Sequence, residues 1–178
     1  MNLPNRITLF RVIMIPVFLL VYLNQNITYN NYIAGAIFLI AAFSDFLDGY
    51  IARKQNLITN FGKFMDPLAD KLLVSAALIC FVEFNLLPSW IAFIIIAREF
   101  IISGFRLVAS DNGVVIAASW WGKIKTNLQM IMSVMLIINL DFPFINTLET
   151  IVIYLALILT VVSLIDYLIK NKSVLQDK

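Results

Sequence analysis

Apolar residues run along this chain in long blocks separated by short polar breaks. Roughly, the blocks cover residues 7–23, 32–53, 67–84, 88–108, 123–140 and 148–169. Each reaches or approaches the roughly 17–25 residues a helix needs to cross a hydrocarbon core. The breaks carry turn chemistry at Asn24 to Asn31, Asn85 with Pro88, Asp111-Asn112-Gly113, and Asp141 to Thr147 around Pro143. Backbone in lipid must satisfy its own hydrogen bonds, so the blocks are read as helices. The pattern predicts an all-α integral membrane protein with six transmembrane helices in a single domain over 1–178. A short interfacial segment is expected before the first span, with Pro4 in its first helical turn. Pro16 interrupts the first apolar run and no small-residue cleavage site follows, so this run is expected to be retained rather than removed as a signal.

Composition agrees with this class. Of 178 residues, 61% are hydrophobic and 13% charged, more apolar surface than a soluble domain of this size can hide. Histidine is absent and cysteine occurs once, at Cys80 in an apolar run, which excludes a disulfide framework and a Cys/His metal site. Cys80 is expected to pack as a small hydrophobe. A net charge of +2 gives no case for nucleic acid. The placement of the cations is more telling. With a cytoplasmic N-terminus, the outer loops are 24–31, 85–87 and 141–147, and none contains lysine or arginine. The positive-inside rule therefore puts both termini in the cytoplasm. Arg6 and Arg11 are expected to meet anionic headgroups, Trp90, Trp120 and Trp121 to sit in interfacial belts, and Asp166 to pair with Lys170 one turn on.

The acid is concentrated in "SDFLDGYIARKQNLITNFGKFMDPLADK", residues 44 to 71, which holds four aspartates. Asp45 and Asp48 share a helical face at the inner end of the second span. Asp66 before Pro67 reads as an N-cap opening the third span, with Asp70 one turn further on the same face. Two antiparallel helices can thus present two carboxylate pairs to each other. Charged side chains in a membrane helix are tolerated only where something cationic neutralises them. Arg53 and Lys71 are one source of that charge. A divalent ion is the other, since carboxylate oxygens are the ligands Mg2+, Mn2+ or Ca2+ take. Gly49, Ala52 and Gly62 leave room either for close helix packing or for a flat ring or phosphate, and Arg53 offers a fork for phosphate oxygens.

The eight positions Asp45, Asp48, Gly49, Ala52, Arg53, Gly62, Asp66 and Asp70 stand at fixed spacing. This pattern resembles the signature of the CDP-alcohol phosphotransferases at every position. The segments "NLPNRITLFRVIMIPVF", "AREFIISGFRLVAS" and "WGKIKTNLQM" are similar to bacterial members that use sn-glycerol 3-phosphate as acceptor. The resemblance implies transfer of the phosphatidyl group of CDP-diacylglycerol to that acceptor with release of CMP, at the cytoplasmic side of a bacterial plasma membrane. It implies a homodimer embedded among membrane lipids and Mg2+ or Mn2+ as cofactor, two ions in all. Asp45, Asp48 and Asp66 would hold one ion, and Asp66 and Asp70 a second, with Asp48 able to bridge. Gly49, Ala52 and Gly62 would line the cytidine side, Arg53 would lie near the diphosphate, and Asn5 and Thr8 would reach the nucleotide. Asp70 would act as general base, a role against which a carboxylate's low pKa near metal weighs.

The acceptor is a dianion and needs cations. Arg98 and Arg106 lie about 80° apart around the fourth span, and Lys123 and Lys125 open the fifth after Gly122. Lys63 lies beside the signature. For the lysines, ordinary anchoring at the inner surface is the competing explanation. Arg106 matches the depth of the aspartates, whereas Arg98 sits nearer mid-membrane as either a structural or a binding group. Glu99 points about 100° away from Arg98, so no ion pair between them is automatic. Other readings of the chain are a same-family transferase with serine, inositol phosphate or phosphatidylglycerol as acceptor, an intramembrane prenyltransferase, or a cation carrier.

Overall fold

The computed structural model describes residues 2–54, 60–111, 116 and 119–172, with the side chains of residues 46, 48–50, 52–53, 60–64, 67 and 111 left outside the description. The regular structure among these residues is all helical. Six helices follow in order: α1 (Leu3–Leu23), α2 (Asn30–Lys54), α3 (Asn60–Glu83), α4 (Ser89–Asp111), α5 (Trp120–Ile138) and α6 (Pro143–Lys170). The shortest, α5, has 19 residues, a rise of about 28 Å. That is close to the thickness of a hydrocarbon core, about 30 Å. Taken alone, α1 and α6 are long and apolar enough to cross a membrane. Most of the chain's charged residues fall on the remaining helices.

Three boundaries differ from expectation. α1 is unbroken from Leu3, so the residues expected as a separate interfacial segment belong to the first helix, with Pro4 in its opening turn and Pro16 inside it. α3 begins at Asn60, which puts Asp66 and Pro67 inside the helix instead of at its start. Proline inside a membrane helix forfeits one backbone bond, a loss such helices tolerate. α6 begins at Pro143, so part of the expected 141–147 loop is helical. The turn at Asn85 is observed, with that residue at φ 58°.

The chain divides into two compact units. The first comprises residues 1–86 and 133–139, and in it α1 packs against both α2 and α3. Of the side chains that α1 buries, all but Asn5 (Pro4, Thr8, Arg11, Ile15, Phe18 and Tyr22) follow spacings of four and three, so they form one seam along the helix. At its apolar end Phe18 stacks on Tyr22 at 5.5 Å between ring centroids, and Tyr22 meets the Phe84 ring edge-on at 5.1 Å. The Tyr22 hydroxyl donates to the Leu136 carbonyl at 3.3 Å. Cys80 is buried in the same unit, as expected.

The second unit comprises residues 87–132 and 140–178. α4 packs on α6 here, around Ile102, Phe105 and Tyr167. The Phe105 and Tyr167 rings meet edge-on at 5.6 Å. Asp166 and Lys170 form the expected ion pair at 2.7 Å. Trp90, Trp120 and Trp121 are exposed.

Candidate active site

The polar end of the α1 seam organises the acids. Arg11, enclosed at 0% side-chain exposure, donates from Nη1 to Asp45 Oδ1 at 2.6 Å. Its Nε donates to Ser44 Oγ at 3.3 Å, while the Ser44 hydroxyl gives its own proton to the Ala41 carbonyl at 2.7 Å. One turn earlier, Thr8 lies 2.6 Å from Asp66 Oδ1 and 3.1 Å from the Pro4 carbonyl. A hydroxyl has one proton, and the shorter contact to an ionised acceptor takes it. Residues 8 and 11 of one helix therefore hold the first acid of each aspartate pair, one on α2 and one on α3. Arg11 does not reach outward to headgroups as expected. Its position in the 4-8-11-15-18-22 seam turns it inward, where a buried cation must find an anion.

Asp45 keeps 44% of its side chain exposed despite this ion pair. Asp66 and Asp70 are partly buried, and α3 is regular helix through both, so they share a face. The backbone of α2 likewise places Asp45 and Asp48 on one face. The side chains of Asp48, Gly49, Ala52, Arg53, Gly62 and Lys63 lie outside the described ones. No group of three or more metal-holding side chains gathers among the described residues. Asn5 and Thr8 are both buried.

The expected acceptor cations separate into two kinds. Arg98 is buried; its Nη1 donates to Glu99 Oε1 at 3.2 Å and its Nη2 to Ser163 Oγ at 3.0 Å. Lys125, at 1% exposure, donates to the same Glu99 oxygen. Two cations thus share one carboxylate, and Arg98 Nε is enclosed without a hydrogen-bond partner among the described residues. The 100° between adjacent helical positions does not keep Arg98 from Glu99, because the long arginine reaches around the helix. Arg106 and Lys123 are exposed. The Arg106 guanidinium carbon stands 5.7 Å from the Tyr167 ring centroid, a cation–π distance.

A family model for CDP-alcohol phosphatidyltransferases matches residues 1–162. The chain belongs to the CDP-alcohol phosphatidyltransferase family. Among its curated relatives, one from Bacillus subtilis (strain 168) is 45% identical over 96% of this chain and 95% of its own length. One from Haemophilus influenzae is 42% identical over 99% of this chain and 96% of its own. Both are named CDP-diacylglycerol–glycerol-3-phosphate 3-phosphatidyltransferase. A relative from Mycobacterium tuberculosis, 38% identical over 93% of this chain and 79% of its own, is named probable phosphatidylglycerophosphate synthase.

The eight positions expected to form the signature fall on α2 and α3, the two helices against which α1 packs. Three residues of the polar contacts within the two units carried no such motif: Arg11 in the first, Glu99 and Ser163 in the second. Arg11 was expected at the headgroups, and its phase in the α1 seam is the signal that turns it inward. Glu99 and Ser163 have no comparable signal, because polar residues inside apolar helices reveal their partners only when the helices pack.

Proposed function

We infer that the chain transfers the phosphatidyl group of CDP-diacylglycerol to sn-glycerol 3-phosphate, forming phosphatidylglycerophosphate and releasing CMP. The observation that carries this reading is the pair of contacts from Thr8 and Arg11, which bring acids of α2 and α3 to neighbouring turns of α1. The names and full-length similarity of the relatives supply the acceptor.

The donor set fits divalent metal. In Asp45 and Asp66 the bond from α1 falls on Oδ1, and hard carboxylate oxygens are what Mg2+ or Mn2+ binds. Asp45, Asp48 and Asp66 would hold one ion and Asp66, Asp70 and Asp48 a second. Bound there, the ions would neutralise the donor's diphosphate and steady the departing CMP. Arg53 would add a fork to the diphosphate, while Gly49, Ala52 and Gly62 leave space for the nucleotide. Asp70 accepts the proton of glycerol's primary hydroxyl as its oxygen bonds to the lipid-side phosphorus. The bond from phosphorus to the CMP oxygen breaks, and CMP leaves with that electron pair. Arg106 and Lys123 are the exposed cations suited to the acceptor's phosphate, with Lys63 beside the signature. Arg98 and Lys125 are instead buried and both paired with Glu99.

All six helices would span a bacterial plasma membrane as a single catalytic domain, with both termini and the acids at the cytoplasmic side. The absence of lysine and arginine from residues 24–29, 84–88 and 139–142 supports that orientation. A homodimer belongs to the same reading through the family. Acceptor competition tests the assignment. Purified protein offered CDP-diacylglycerol with equal sn-glycerol 3-phosphate, serine, inositol phosphate and phosphatidylglycerol is expected to yield phosphatidylglycerophosphate as the main lipid. A dominant serine, inositol or cardiolipin-type product would overturn the acceptor.

A further inference from the structure

We propose that Arg11 and Thr8 are positioning residues, a fixed pair of donors on α1 that aims the carboxylates of Asp45 and Asp66 at a shared divalent ion. The proposal rests on the metal-assisted reading above and deepens it by naming what orients the ligands.

Arg11 sits fully enclosed in a helix apolar enough to cross a membrane. A guanidinium in that setting must be held by partners that leave it little freedom. Ser44 supplies the first hold. Its proton is committed to the Ala41 carbonyl, so its lone pair faces Arg11 Nε at 3.3 Å. Asp45 Oδ1 supplies the second, at 2.6 Å from Nη1. Two bonds to different edges of a planar group fix its plane, which lysine's single ammonium cannot reproduce. The fixed plane in turn fixes the carboxylate it meets.

The asymmetry of this ion pair points beyond packing. Arg11 has 0% exposure, yet Asp45 keeps 44%. One oxygen of Asp45 is gripped from inside while the side chain remains open on its other side. Thr8, itself buried, does the same for Asp66 Oδ1 from the adjacent turn, about 4.5 Å along the axis. Carboxylates that are hydrogen-bonded from behind present their other oxygen in a set direction, and such outer donors govern metal affinity. Arg11 also places a permanent positive charge beside an acid cluster that would otherwise repel itself before any ion arrives.

The test measures binding of Mn2+ to the purified full-length protein in lipid nanodiscs, by the electron paramagnetic resonance signal of free Mn2+, with no substrate present. Thr8→Val keeps the shape and removes the donor, whereas Thr8→Ser keeps the donor. Arg11→Met keeps the length and removes the fork. Thr8→Val and Arg11→Met are each expected to weaken Mn2+ binding about tenfold or more, and Thr8→Ser to recover most of that loss. Binding as tight as the parent's, or tighter, in both Thr8→Val and Arg11→Met would overturn the proposal, since loss of a purely structural cation relieves repulsion of the ion. Should Arg11→Met fail to fold, the Thr8 pair decides alone. Asp45→Asn separates the two levels of the claim. If the parent binds no Mn2+, or Asp45→Asn binds it as the parent does, the metal reading fails and the proposal with it. If Asp45→Asn loses Mn2+ while the Thr8 and Arg11 variants keep it, only the positioning role falls.

Discussion

Arg98 and Lys125 converge on one carboxylate, Glu99, in a setting where each cation is almost wholly enclosed. Removing that carboxylate leaves two buried positive charges facing each other. Glu99→Gln is therefore expected to destabilise the protein by about 3–5 kcal/mol, the usual cost of breaking a buried pair from one side. A lowered thermal midpoint in detergent checks this, and Lys125→Met added to Glu99→Gln should recover part of the loss. Asp70 is the proposed general base. If it takes the acceptor's proton, Asp70→Asn lowers kcat by about 100-fold or more, and near-normal turnover would remove it from that role. At this scale the shared helical face of each aspartate pair was legible, because the spacing of three or four residues fixes it. Arg11 was misread, since a cation near an N-terminus also suits headgroups and only its seam phase says otherwise. The Arg98–Glu99 pair was hidden because helical angles locate Cβ atoms and not the ends of long side chains.

At the scale of the element, α1 divides its labour along its length. Its first half carries the donors to Asp45 and Asp66, and its second half carries the aromatic packing that fixes the helix in place. Phe18, at 0% exposure, lies in that second half between Tyr22 and Phe38. Phe18→Ala should cost about 3 kcal/mol by leaving a void. Leu20, two residues on and 73% exposed, should tolerate alanine within about 0.5 kcal/mol. Comparing the thermal midpoints of the two variants checks the seam directly, and equal losses would contradict it. The six helices themselves were readable from hydropathy, because each apolar block is long and the breaks between blocks are short and polar. Their ends were less so. Asp66-Pro67 has the chemistry of a helix start, yet α3 begins earlier, at Asn60, and the Thr8 hydroxyl meets the Asp66 carboxylate. Local start signals lose when a tertiary partner satisfies the same group.

For the whole molecule, the proposed orientation, argued from the distribution of lysine and arginine, can be checked by accessibility. A cysteine placed at Gln25 should react with an impermeant maleimide from outside intact cells, and one at Lys172 only after permeabilisation. Cys80 is buried and adds little background. The reverse labelling would invert the topology and put the acids on the wrong side for a cytoplasmic nucleotide donor. The donor half of the function was legible in residues 44 to 71, since eight positions at fixed spacing leave few alternatives. The acceptor half was not, because a phosphate dianion can be met by many arrangements of cations on several helices. The most direct measurement of the central claim is CMP release by purified protein from vesicles containing CDP-diacylglycerol. CMP should appear with phosphatidylglycerophosphate in equal amounts, and only when both sn-glycerol 3-phosphate and Mg2+ or Mn2+ are present. CMP release that ignores the acceptor, or that continues undiminished in excess chelator, would contradict it.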